Sequence, residues 1–302
     1  FLSRTTDRLG KGIRTAARDA LLSAEATKET KARVFGFHRS MDTVGAAIGP
    51  VLALIYLAIY PGAYKNLFML AFIPGILSVL FIFFLKEKKQ PVSTLGKGNF
   101  FSFLKYWTIA GRDFKRIVPA LLLFALFNSS DIFLLLVTKQ AIGSQEIHFN
   151  GFSFNADSIT IAAYVFYNLV YASVSYPAGM LADKIGFRSV VISGMALFGI
   201  VYGGFAFNPS ISVIFFLFAL YGFYAAFTEG VIKAWITNLA GQHDTATAIG
   251  FYTSGESIAA LFASILAGAV WTGLGSEFTF IISAAVALIV AFYLLITRKQ
   301  TA

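Results

Sequence analysis

Eight runs of mostly apolar residues dominate this chain, each close to the roughly 20 residues a helix needs to cross a bilayer. They cover 41–60, 66–85, 117–138, 158–181, 190–207, 211–240, 246–272 and 278–297. Only 13% of the 302 residues are charged and 57% are hydrophobic, whereas soluble domains carry roughly 25% charged residues. So little charge cannot cover so much apolar surface in water. The sequence therefore predicts an all-α integral membrane protein, since a helix satisfies its own backbone in lipid. Cysteine is absent and histidine occurs three times. A disulfide framework, a thiolate site and a histidine-based metal site are not expected, and no cofactor is implied.

The net charge of +9 does not point to nucleic acid, because the basic residues lie between the apolar runs. Segment 86–116 holds eight of them (Lys86, Lys88, Lys89, Lys97, Lys105, Arg112, Lys115 and Arg116) against Glu87 and Asp113. The loops 61–65, 139–157, 208–210 and 273–277 hold only Lys65 and Lys139. The positive-inside rule places 86–116 in the cytoplasm. The turns 182–189 and 241–245 and the tail 298-RKQTA-302 fall on the same side. Residues 100–118 are predicted as an amphipathic helix at that surface.

Segment 1–25, FLSRTTDRLGKGIRTAARDALLSAE, has no signal-peptide cleavage site. It carries too many arginines for a helix facing lipid. An internal comparison explains it. The piece 34-VFGFHRSMDTVGAAIGPVLALIY-56 lies over 248-AIGFYTSGESIAALFASILAGAV-270, with Gly36-Phe37 on Gly250-Phe251 and Asp42 on Glu256. Upstream, 12-GIRTAARDALLSAEA-26 lies over 230-GVIKAWITNLAGQ-242 with a small loop difference. Segment 1–25 is then a ninth membrane helix, shielded from lipid by its neighbours. Three spans precede the central loop and six follow it. Three more are expected before Phe1.

Three motifs sharpen this. The turn 179-GMLADKIGFR-188 resembles the G-x-L-x-D-x-x-G-x-R signature of the major facilitator superfamily, with Gly179, Asp183, Gly186 and Arg188 on its key positions. Gly179 permits close helix approach, and Asp183 can pair with a base or cap a helix N-terminus. Arg188 holds the cytoplasmic side, while Phe187 stands where the family often has a basic residue. The segment 45-GAAIGP-50 (Gly45, Gly49, Pro50) is similar to the fifth-helix motif of antiporters in that superfamily. Small residues four apart also make a close-packed face, which accounts for it equally well. The family's fourth-helix arginine, followed four residues on by glycine, fits Arg8 with Gly12, whereas ungapped alignment prefers Arg4. The resemblance covers the fourth to twelfth helices of a twelve-helix carrier. It implies two pseudo-symmetric bundles: 1–85 completing the first, 86–116 linking, and 117–302 forming the second.

In such carriers the working cavity lies near mid-membrane between the halves. The first half offers Arg14, Arg18, Asp19, His38, Arg39 and Asp42. The second offers Asn128, Asp131, Glu229, Lys233 and Glu256, with Tyr164, Tyr167, Asn168 and Tyr171 as an aromatic wall. Glu229 and Lys233 sit four apart inside 227-FTEGVIKAW-235, and a structural ion pair between them is one reading. Asp131 near an outer end, and Arg18 and Arg39 near the cytoplasmic end, are the solvent-facing alternatives. Glu256 has no base three or four residues away. A carboxylate without a partner in apolar surroundings takes up a proton more readily than one in water, so Glu256, or its counterpart Asp42, is the expected proton-coupling group.

The reading is a secondary transporter of a small molecule, working by alternating access, proton-coupled, with export favoured. It would act as a monomer in a bacterial inner membrane. Its arginines suit an anionic or zwitterionic substrate. No catalytic constellation or phosphate loop stands in the sequence; 10-GKG-12 is too short and follows no strand. The competing reading is a non-transporting membrane protein, either a sensor or an intramembrane enzyme.

Overall fold

A computed structural model describes residues 15, 18–84, 104–143, 147–149, 152–207, 209–240 and 244–297. The helical stretch 18–25 (α1) leads through a turn into α2, Lys31–Ile59, and then α3, Tyr64–Ile82. After the central segment come α4 (Tyr106–Ile109), α5 (Arg112–Phe127) and α6 (Ile132–Ile142). A hairpin of β1 (Ile147–Phe149) and β2 (Phe152–Phe154) follows, antiparallel, with Ile147 opposite Phe154. The chain closes with α7 (Ala156–Ile185), α8 (Phe187–Phe205), α9 (Ile211–Leu239), α10 (Thr245–Leu274) and α11 (Ser276–Ile296). Among the described residues, eight helical spans are long and apolar enough to cross a membrane, with α5 and α6 together forming one. The stretch 18–25 adds a further helical segment immediately before α2.

The internal repeat is visible in the helix register. Asp42 follows the first residue of α2 by eleven positions, as Glu256 follows that of α10. The preceding helical stretches end at 25 and at Leu239, each with five residues before the next helix begins. One offset therefore carries the repeat back without a loop difference, which corrects the upstream alignment expected from sequence. On this register Asp19 is the counterpart of Lys233.

Small residues decide the central crossing. Ala32 and Gly36 on α2 face Ser175 and Gly179 on α7, two small pairs each spaced by four. A Cβ on Gly36 would collide with the Ser175 carbonyl, and one on Gly179 with the Ala32 carbonyl. The backbones thus meet with no side chain between them, which lets packing alone hold two helices in lipid. On its other side α2 meets α9, where a Cβ on Gly230 would lie 3.3 Å from the Phe35 carbonyl oxygen. The chain turns from α7 into α8 at Gly186, whose φ of 93° favours glycine.

Three sequence expectations change. The span expected at 41–60 begins at Lys31, because the polar residues of 31–42 face other helices rather than lipid. The span 117–138 is interrupted at 128–131, where Asn128, Ser129, Ser130 and Asp131 favour turn hydrogen bonds over helix. The surface helix expected over 100–118 shrinks, among the described residues, to the single turn Tyr106–Ile109. Arg112 onward belongs to the membrane-spanning α5. That turn is docked, not free: Trp107 stacks on Phe251 of α10 at 5.7 Å and Tyr106 meets Phe114 edge-on at 5.1 Å.

Among the described residues no helix packs on Gly45 and Gly49. A Cβ at either would meet nothing within 4 Å among the described residues. Helix α3, with no buried residue, shares that openness. The two glycine classes make a direct test. Gly36→Val or Gly179→Val should cost about 3 kcal/mol or more, because two backbones must separate. Gly45→Ala and Gly49→Ala should be neutral or stabilise by up to about 1 kcal/mol through helix propensity. Thermal unfolding of the detergent-purified variants distinguishes them.

Candidate functional site

Helix α9 carries Glu229 and Lys233 on one face, since residues four apart are neighbours on a helix. They do not pair with each other. Glu229 forms an ion pair with Arg39 of α2. Lys233 Nζ lies 3.1 Å from Asp19 Oδ2 of α1, close enough to pair but outside hydrogen-bonding geometry. The internal pair considered from the sequence is thus replaced by two cross-links to the segment preceding the central loop. The reason is reach: α2 brings Arg39 to Glu229, and the preceding stretch α1 brings Asp19 to Lys233.

Each link has further partners. Arg39 also pairs with Asp42 at 3.2 Å, donates a hydrogen bond to the Tyr171 hydroxyl, and lies over the Tyr171 ring at 5.5 Å. Asp19, 1% exposed, accepts from Arg18 at 3.2 Å. Arg18 and Arg39 thus each engage a buried group, Asp19 and Tyr171, while remaining 30% and 29% exposed. Asp42 turns to Arg39 and not to His38, which makes no hydrogen bond or ion pair among the described residues. Arg14, Arg4, Arg8 and Gly12 lie outside the described residues.

Beside these charges stands a tyrosine cluster. Tyr167 stacks on Tyr171 at 5.9 Å and meets Tyr221 at 4.9 Å; Tyr221 meets Tyr224 at 5.1 Å. Tyr221 donates to Asp131 Oδ1 at 2.7 Å, and Asn128 Nδ2 donates to the Tyr224 hydroxyl at 2.9 Å. Asp131 is thus partly buried and tied to α9 through Tyr221. Asn168 instead bonds the Tyr164 carbonyl of its own helix at 2.8 Å, so its amide is spent locally. Glu256 accepts from Tyr252 at 3.4 Å and has no basic partner within ion-pair distance among the described residues.

Sequence reasoning missed Tyr202, Tyr221 and Tyr224. Their signal was present: hydroxyls at 221 and 224 recur one turn apart within 211-ISVIFFLFALYGFYAA-226, two turns before Glu229. Arg33 and Lys31 were missed as well. Asp183 accepts from the backbone N–H groups of Ala32 (2.9 Å) and Arg33 (3.1 Å), and from Arg33 Nε at 3.2 Å. It caps α2 and pairs with a base at once. Lys31 Nζ donates to the Thr237 carbonyl near the end of α9 at 3.0 Å. These contacts tie one end of α2 to both α7 and α9. Arg188 keeps one buried guanidinium nitrogen without a protein partner. At the other end of α2 the helices part around an apolar recess of about 280 Å³, lined by Pro50, Leu54, Leu57, Leu135, Ile161 and Tyr164 among others.

Known proteins share this architecture. An MFS-type transporter of Methanocaldococcus jannaschii, itself uncharacterised, is 34% identical over 289 residues, spanning 96% of this chain and 69% of the relative. An uncharacterised protein of Mycobacterium tuberculosis is 23% identical over 276 residues, 87% of this chain and 62% of that protein. The crystal structure of the human organic anion transporter MFSD10 (TETRAN) superposes with a TM-score of 0.77 at 16% identity, over 92% of this chain and 67% of that one. That likeness concerns the fold. Residues 1–154 and 144–302 each match the Major Facilitator Superfamily profile. The chain belongs to the Major Facilitator Superfamily.

Proposed function

We propose that this protein is a secondary active transporter that moves a small molecule by alternating access, drives it with protons, and works in the export direction. One observation carries the reading most: residues before the central loop are joined to α9, at the heart of the helices, by ion pairs, Arg39 with Glu229 and Asp19 with Lys233. A rocking carrier needs contacts between its halves that break and reform. Paired charges suit this, because an ionic substrate or a proton can replace one partner without leaving the other uncompensated. In this reading 1–85 completes one bundle, 117–302 forms the other, and 86–116 links them in the cytoplasm. The protein works as a monomer in the cytoplasmic membrane.

The state described is closed where Asp183 caps α2 and open around the recess beside Pro50, with the closed end cytoplasmic. A zwitterionic substrate fits best, since Arg39 and Glu229 present both signs and Arg18 and Arg39 already face carboxylates. Glu256 is the proton carrier; its counterpart Asp42 is engaged by Arg39. Export rests on the resemblance of 45-GAAIGP-50 to antiporters.

In proteoliposomes, a pH gradient should accelerate substrate flux, and Glu256→Gln should abolish that acceleration. Equal flux with and without the gradient in the unaltered protein would contradict proton coupling. Arg39→Gln or Glu229→Gln should each lower flux about tenfold, a loss on the order of 1.4 kcal/mol. Asp19→Asn should destabilise the protein by about 3 kcal/mol, because it strands a mostly buried Lys233. Adding Lys233→Met should recover most of that loss in a thermal unfolding assay.

A further inference from the structure

The four residues between α5 and α6 interrupt a membrane span of 31 residues, Arg112–Ile142, near its middle. A helix that stops there leaves its last carbonyls without intrahelical donors. Among the described residues no backbone N–H of 128–131 returns to the carbonyls of 124–127, and no side chain donates to them. In lipid such groups are costly unless something else satisfies them. Asn128 adds to the same spot: its Oδ1 is buried with no protein partner, while its Nδ2 is held by Tyr224. Asp131 sits at the other lip of the break, bound by Tyr221 through one oxygen only. Tyr221 and Tyr224 are one turn apart on α9 with rings 5.1 Å from each other. The side chains of Asn128 and Asp131 are therefore held side by side.

The charges of the centre give a second, independent argument. Arg18, Arg39 and Lys233 are matched by Asp19, Asp42 and Glu229. Of the carboxylates named for this centre, Glu256 and Asp131 have no ion-pair partner among the described residues. Glu256 is the proton carrier proposed above. Asp131 has no use in that scheme.

We propose that the break at 128–131 binds one monovalent metal cation of sodium or potassium size. Its ligands would be Asp131, Asn128 Oδ1 and carbonyls from the last turn of α5. All are oxygen donors, which suit hard cations. One carboxylate balances a single positive charge, so a divalent ion would be undercompensated. The C-terminal end of α5 adds negative potential. Interrupted helices with free carbonyls are suited to such ions in membrane carriers. The proposal concerns binding and does not require the transport reading to hold.

The test is thermal unfolding of the detergent-purified protein at fixed pH and ionic strength, titrating sodium or potassium chloride against choline chloride. One of the two metal ions should raise Tm saturably by several degrees over choline. Asn128→Ala and Asp131→Asn should each abolish that rise, while Glu256→Gln should keep it. Variants that fold are recognised by an unchanged Tm in choline. Where one of them fails to fold, radioactive sodium or rubidium binding to the unaltered protein by equilibrium dialysis should show one site per chain. No ion-specific rise together with no measurable binding would overturn the proposal. So would a rise that survives both Asn128→Ala and Asp131→Asn.

Discussion

A charge among membrane helices must find a partner, and in this protein that requirement connects helices far apart in the sequence. The pairs Arg39–Glu229 and Asp19–Lys233 join residues separated by about two-thirds of the chain. They are possible only because α2 lies close against both α7 and α9. That closeness depends in turn on Gly36, Gly179 and Gly230, where carbonyls occupy the space a side chain would need. Packing brings the helices together without hydrophobic drive, and the charges then select which arrangement is held.

The internal repeat gives these pairs a particular geometry. Asp19 and Lys233 occupy equivalent positions in their halves, and they meet. A contact between equivalent positions lies near the pseudo-symmetry axis, so in the proposed rocking it would move little. The contact of Asp183 with the start of α2, at the end of that helix, would move further in the same rocking. The first kind of contact can act as a pivot and the second as a latch. Arg39 lies between them and touches Glu229, Asp42 and Tyr171 at once, so it has alternative partners ready when one is withdrawn.

Much of this was legible in the sequence. Apolar runs gave the helices, and 179-GMLADKIGFR-188 the family. Asp183 was read as a cap or an ion-pair partner, and it is both. Partner choice was not legible. Glu229 and Lys233 are neighbours on one helix, and local spacing suggests an internal pair. Only the crossing of α2 shows that better partners lie across the interface. The break after Phe127 was hidden for a related reason: Asn128 and Asp131 read as polar exceptions within one apolar run, and the hydroxyls that hold them, on Tyr224 and Tyr221, come from another helix. Gly45 and Gly49 mark the opposite limit, since small residues four apart show that close packing is permitted without showing that it occurs.

The central claim is that the capped end of α2 opens when the mid-membrane ion pairs are released. The chain contains no cysteine, so spin labels can be attached at Lys28 and Ile185, both exposed and at that end. Pulsed electron resonance then measures the distance between them. Our account predicts one short distance in the unaltered protein, and a second, longer population in Glu229→Gln. A single unchanged distance in both proteins would contradict it.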